Sequence, residues 1–361
     1  MTNDVKIIAL HLPQYHAIPE NDEWWGKGFT EWVNVKKARP LFQKHNQPRV
    51  PLNENYYNML DPAAFQEQMR LAREYGVYGF CYYHYWFDGK LLLEKPLEMM
   101  LQMEDRLPYC LCWANEPWTR AWDGQAKTVI MPQRYGAEAE WEEHFNYLLP
   151  FFRDSSYICV DGKPVFVLYR TNDIPNCEEM IAYFNKRCME CGFAGIYLVE
   201  EKNGFQDTLC CKNADAILNF EPMYTLKYGR SLPGRALDKF LNKLFNWRTG
   251  NHMLIYRYDN IWKRILNRKV SPPSGKKEYR GGFIDWDNSP RKGNRGLAVL
   301  GATPAKFEKN LGKQMRHAQE EGTEFVFLNA WNEWGEGTYL EPDTHNGYSY
   351  LEAIQRLTGK E

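Results

Sequence analysis

Residues 303–337 read TPAKFEKNLGKQMRHAQEEGTEFVFLNAWNEWGEG, and this stretch carries the unit from which the fold is read. Thr303-Pro304 opens a helix over Thr303–Glu321, with a hydroxyl in capping position and proline at the first helical residue. Gly322 closes it, and Glu324–Leu328 follows as a short run of apolar residues without alternation. Such a run suits a strand buried on both faces. It ends in Asn329, Trp331, Asn332, Glu333 and Glu336, so helix, strand and polar rim follow one another within 35 residues.

Working outward, the same unit recurs along the chain. Further apolar runs are Lys6–Leu12, Val77–Tyr83, Tyr109–Trp113, Pro164–Leu168, Gly195–Val199, Ala216–Phe220 and Gly282–Asp285. Helical patterns lie between them at Pro62–Glu74, introduced by Asp61, at Glu138–Phe152 and at Glu178–Cys191. Eight strands alternating with helices imply a parallel sheet, and the expected α/β fold is a (β/α)8 TIM barrel spanning 1–361 as one domain. A doubly wound open sheet is the rival, but no GxGxxG follows any of the runs.

Composition narrows the function classes. With 45 basic and 46 acidic side chains the net charge is −1, which argues against a dedicated nucleic-acid binder. No run of 18 apolar residues exists, so no transmembrane segment is expected. Met1–Asp4 passes directly into Val5–Leu12 without a basic segment or cleavage site, so no secretory signal is expected either. Nine cysteines are read as reduced, cytoplasmic thiols. Cys188-x-x-Cys191, with Cys210 and Cys211, lacks the paired spacing of a zinc site. The even charge also conceals an asymmetry. Thr225–Arg280 holds 14 Lys and Arg against three Asp and Glu, so a basic insertion of +11 between strands six and seven sits on a body of −12. Its patterns Leu237–Trp247 and Asn260–Arg268 are basic and amphipathic. They read as a helix pair packed on the barrel, with an anionic glycan or a membrane surface as the alternative partner.

A barrel of this kind builds its active site at the C-terminal strand ends. Those ends supply Tyr15, Tyr83, His84, Trp86, Trp113, Asn115, Glu116, Tyr169, Arg170, Glu200, Glu201, Asn219, Glu221, Asp285, Trp286, Asp287, Asn329 and Trp331. Trp24, Trp25, Trp32, Trp118 and Trp122 lie in the loops that follow. Rings that stack on a pyranose, with amides and acids for its hydroxyls, suit an oligosaccharide or polysaccharide partner, and the expected substrate contacts are Tyr15, Trp24, Trp25, Trp32, Tyr83, His84, Trp86, Trp113, Asn115, Glu116, Trp118, Glu221, Asp285, Trp286, Asp287, Asn329 and Trp331. Glycoside cleavage requires two carboxyl groups, one protonated and one ionised. Glu333 and Glu336 are three apart, and Gly335 and Gly337 permit a turn that directs both inward. Asp285-Trp286-Asp287 has the D-x-D form that holds a metal in nucleotide-sugar transferases. Without a nucleotide-binding fold around it, the pair reads as rim sugar ligands or as a loop anchor, with no metal and no cofactor. No G-x-S-x-G, P-loop or HExxH is present.

The stretches Leu12–Trp32, Tyr85–Leu97, Leu111–Gly124, Trp286–Gly296 and Asn329–Asp343 together resemble the WbsX-like family of bacterial polysaccharide biosynthesis. That family is related to the endo-α-mannosidases of glycoside hydrolase family 99. The resemblance implies a (β/α)8 barrel. It also implies a retaining reaction in which Glu333 takes the proton of the sugar 2-hydroxyl, forming a 1,2-anhydro sugar, and Glu336 serves as acid and then base. Asn115-Glu116 in turn resembles the Asn-Glu acid/base of a large retaining-glycosidase clan, though on the third strand rather than the fourth. The expected function is therefore hydrolysis of an internal α-glycosidic bond in a bacterial surface glycan, of O-antigen or capsule type, anionic or lipid-linked. A glycosyltransferase of O-antigen synthesis and a non-catalytic glycan-binding barrel are the alternatives. The expected location is the cytoplasm, with association to a membrane surface.

Overall fold

A computed structural model describes residues 5–120, 125–206, 211–270, 272–273 and 275–360; Ala121, Trp122 and Cys210 lie outside them. Eight parallel strands close into a barrel: β1 Lys6–His11, β2 Gly79–Phe87, β3 Tyr109–Trp113, β4 Lys163–Leu168, β5 Tyr197–Lys202, β6 Ala216–Asn219, β7 Lys277–Phe283 and β8 Phe325–Asn329. Each pairs with its successor, and β1 pairs with both β2 and β8, as in Ile8 opposite Gly79 and Phe327. Closure leaves no open edge, and a single core runs through the barrel and beneath the helices.

The local signals act as the sequence suggests. The Asp61 carboxylate accepts the amide of Ala63 at 3.0 Å to start helix Pro62–Glu74, and the Thr303 hydroxyl accepts that of Lys306 at 3.3 Å to start Pro304–Glu320. The seventh strand departs from expectation. It begins at Lys277, five residues before the apolar run, because its polar residues are paired with neighbouring elements and, Lys277 apart, are buried. Lys277 binds Glu324 at 2.9 Å, Glu278 accepts from Asn219 at 2.7 Å, and Arg280 engages Glu321 at 2.7 Å. Lys277–Arg280, counted with the basic insertion by charge, are thus barrel-strand residues. The rest of that segment folds as helix Met223–Tyr228, helix Leu232–Thr249, strand Leu254–Arg257 and helix Tyr258–Leu266. Its own small core, including Ile261, Trp262 and Ile265, packs against Phe283 and Trp286.

Candidate active site

The segment after β8 places Glu333 at the end of a two-residue strand, Asn332–Glu333, and Glu336 in the single helical turn Trp334–Glu336 that follows. The turn is built on its glycines. A β-carbon on Gly335 would stand 1.8 Å from the Glu31 carboxylate, and Gly337 has φ +65° with the backbone of Asp287 against it. The two glutamates meet on one guanidinium. Arg291 donates to Glu333 at 3.0 Å, to Glu336 at 2.9 Å and to Glu31 at 2.9 Å, and is itself almost entirely buried. Three carboxylates share one cation, so the cluster cannot hold all its charges equally. Burial, together with the negative charges of Glu336 and Glu31 and against the pull of Arg291, pushes Glu333 up to about 8. Glu336 keeps the more exposed carboxylate, 24% against 9%.

Across the mouth of the barrel, Glu116 pairs with Arg170, whose backbone is held by Asn115 through bonds of 2.8 and 2.7 Å. Burial raises the Glu116 pKa; Arg170 opposes this and the field of Glu336 adds to it. Glu201, at the end of β5, is fully buried, and desolvation raises it well above the ordinary range against the opposing effect of Asn203. Tyr83, Tyr85 and Tyr169 stand among these acids, within the fields of Glu333, Glu116 and Glu201. One wall is aromatic. Trp24 meets Trp118 edge to face at 5.9 Å, and Trp118 meets Tyr85 at 5.2 Å, with Trp24, Trp25 and Trp118 half-buried. The site therefore offers two carboxyl groups on one arginine, a second carboxylate–arginine pair, and half-buried rings.

Residues 7–354 match the family model described as glycosyltransferase WbsX. The chain belongs to the WbsX glycosyltransferase family. It is 34% identical over 355 residues to the uncharacterized protein WxcX of two Xanthomonas campestris pv. campestris strains, B100 and ATCC 33913. The match takes in 97% of this chain and 49% of WxcX, so the chain spans about half the length of the curated relatives it matches. Among solved structures, the endo-α-mannosidase of glycoside hydrolase family 99 from Bacteroides thetaiotaomicron superposes with TM-score 0.57 and 12% identity, over 100% of this chain and 98% of that one. A glycoside hydrolase-like protein gives TM-score 0.56 and 13% identity, over 98% and 94%. At these identities the likeness concerns the fold, which is the (β/α)8 barrel of the endo-α-mannosidases.

In this WbsX family member, several rim residues expected to touch substrate are occupied elsewhere. Trp331 is fully buried, donating its indole N–H to Glu341 at 3.1 Å, and Trp32 donates to the Tyr57 carbonyl at 2.8 Å inside a cage with Tyr15 and Trp334. The Tyr15 hydroxyl donates to the Asn332 carbonyl. Trp113 donates to the Trp86 carbonyl at 3.1 Å, and Trp86 stacks on His144 at 4.7 Å. His84 faces His144 at 2.9 Å, and burial pushes it down to about 3. Glu221 is spent on Thr225 and Arg268, while Asn329 donates to the Glu221 carbonyl at 3.0 Å. Asp285 binds Arg49 at 2.8 Å, and Asp287 accepts from Gln47 at 2.7 Å and lies 2.8 Å from His45. These bonds tie Asp285 and Asp287 to the Lys44–Arg49 loop behind the Gly337 turn, and Trp286 is buried beside them. Among the described residues, no group of three or more His, Cys, Asp or Glu side chains forms a metal-binding cluster.

Reading the strand ends did not single out Arg291, Glu31 or Glu341. Glu341 accepts from Trp334 at 2.6 Å, Gln68 at 2.8 Å, Tyr57 at 3.0 Å and Trp331, and so fixes the loop that bears both catalytic candidates. All three lie inside the family-like stretches, in GFTEW, DNSPRKGNRG and TYLEPD. Their partners, however, lie as far as 260 residues away for Arg291 and Glu31, beyond the reach of local spacing.

Proposed function

We propose that the chain is a carbohydrate-active enzyme that cleaves an internal α-glycosidic bond of a bacterial surface glycan with retention of configuration. The observation that carries this is the convergence of Glu333 and Glu336 on Arg291, with one carboxyl driven to about 8 and the other more open to solvent. Glu333, deep in the cluster, takes the proton from the sugar 2-hydroxyl, so that O2 attacks C1 from within the same ring. Glu336 gives its proton to the departing glycosidic oxygen, then removes one from the water that attacks C1, while Glu333 returns its proton to O2 as the C1–O2 bond breaks. Arg291 stabilises the carboxylate that each step leaves behind. With its pKa near 8, Glu333 acts as base only in the ionised fraction, so turnover should rise with pH through that value. The half-buried rings of Trp24, Trp25 and Trp118 supply stacking surface for neighbouring sugars, and Glu116 with Arg170 supplies hydroxyl contacts on the far side.

A second reading is transfer from a sugar donor to a growing glycan, favoured by the family description itself. Both readings use the same rim. Incubation with defined O-antigen and capsule fragments, with and without nucleotide sugars and chelator, separates them by product mass. Cleavage products that form without a nucleotide sugar support hydrolysis. Products formed only with a nucleotide sugar support transfer, and bound but unchanged glycan refutes both.

A further inference from the structure

Helix Leu232–Thr249 is attached to the protein by the wrong side for an ordinary surface helix. Its inner face is polar. Asp238 pairs with Arg230 at 3.3 Å, Asn242 donates to the Ile255 carbonyl at 3.2 Å, and Asn246 donates to the Met253 carbonyl at 3.0 Å. These three residues recur every fourth position; Asn242 and Asn246 bind the helix to Ile255 and Met253, at the strand Leu254–Arg257 that pairs with Leu297–Leu300, and Asp238 also lies 3.8 Å from Arg264. Phe245 adds an edge contact to Phe42 at 5.2 Å.

The opposite face is apolar and bare. Leu237, Phe240, Leu244 and Trp247, spaced three or four apart, form one stripe along the outside, and Leu241 borders it. Phe240 is 64% exposed and Trp247 79%, values normal for lysine rather than for rings. Lys239 and Lys243, also exposed and four apart, line one flank of the stripe, and Arg248 lies on the other. An outward apolar stripe between basic margins, closed by a tryptophan, is the pattern of a helix that lies in the boundary between headgroups and acyl chains. A helix ridge can also enter a groove on another protein, so the choice rests on the charges beside it. This stripe is the convex ridge of a single helix, with cations placed where lipid phosphates would lie.

We propose that helix Leu232–Thr249 seats this protein on an anionic membrane surface, with Phe240 and Trp247 inserted and Lys239, Lys243 and Arg248 on the phosphates. The helix is no membrane span; none of the described helices is long and apolar enough to cross a bilayer. It belongs to the segment that leaves the C-terminal end of β6, the end of the barrel that also carries the catalytic cluster. The inference does not depend on the reaction proposed above, since its evidence lies entirely in this helix.

Co-sedimentation of the full chain with vesicles tests it, using phosphatidylcholine alone and phosphatidylcholine containing about 30% phosphatidylglycerol. The protein is expected to pellet with the anionic vesicles and to remain in solution with the neutral ones. Replacing Phe240→Asp and Trp247→Asp together should weaken vesicle binding at least about tenfold, as should Lys239→Glu with Lys243→Glu. All four side chains are exposed, so unchanged circular dichroism and unfolding midpoints are expected and serve as the folding control. Failure of the parent protein to bind anionic vesicles overturns the proposal, as does binding that the folded variants retain in full. Self-association in the absence of lipid, abolished by the Phe240 and Trp247 changes, would assign the stripe to a second copy of the chain and also overturn it.

Discussion

Substituting Glu333→Gln removes a titration that should govern how stability depends on pH. The carboxyl is nearly inaccessible and is pushed from 4.5 to about 8 by burial and by Glu336 and Glu31. Between those values the folded protein holds a proton that the unfolded chain releases. Stability then falls as pH rises through this window, because the folded state binds more protons. Integrating the linkage from pH 5 to pH 7 gives a loss of about 2.5 kcal/mol attributable to this one group. Glutamine of the same shape does not titrate, so the variant lacks that slope. The raised carboxyl of Glu341 is present in both proteins and cancels in the difference. The assay is urea unfolding followed by tryptophan fluorescence at pH 5, 6 and 7. The stability of wild type minus that of the variant should fall by about 2.5 kcal/mol over the series. Differences that stay constant to within about 0.5 kcal/mol would mean that Glu333 ionises normally, and the account of a proton-holding cluster would fail.

Glu336→Gln should lower turnover on a cleavable glycan by about 10²–10⁴ with unchanged folding, and undiminished product formation would remove it from the reaction. Arg291→Met leaves three carboxylates buried without their cation, costing about 3–5 kcal/mol at pH 8 by chemical unfolding. The cost should shrink at pH 5, where Glu333 is already protonated; equal losses at both pH values would contradict the shared-cation geometry. Gly335→Ala drives a methyl group against Glu31 and Arg291, and a loss of about 1–3 kcal/mol is expected in the same assay.

The fold was largely legible in the sequence because a strand buried on both faces must be apolar throughout, and eight such runs separated by helical patterns fit few architectures. The seventh strand was read five residues late for the same reason reversed. Lys277, Glu278 and Arg280 interrupt the run, and only their pairing with Glu324, Asn219 and Glu321 makes them strand residues. Aromatic content was legible as an amount, not as a place. Trp32, Trp113 and Trp331 are held inside by indole hydrogen bonds, whereas Trp24, Trp25 and Trp118 keep part of their rings exposed. An indole suits either setting, since it is apolar with one donor.

By itself the sequence determined the eight apolar runs, the caps that start and stop the helices, and a pair of glutamates three apart with glycines beside them. Those are local properties, set by neighbours in the chain. The tertiary structure alone decided that Arg291 and Glu31 join that pair, that Asp285 and Asp287 brace a loop, and that the basic helix faces outward with its apolar side. Each depends on which distant residue arrives opposite, and charge and burial take their meaning from that partner rather than from the side chain.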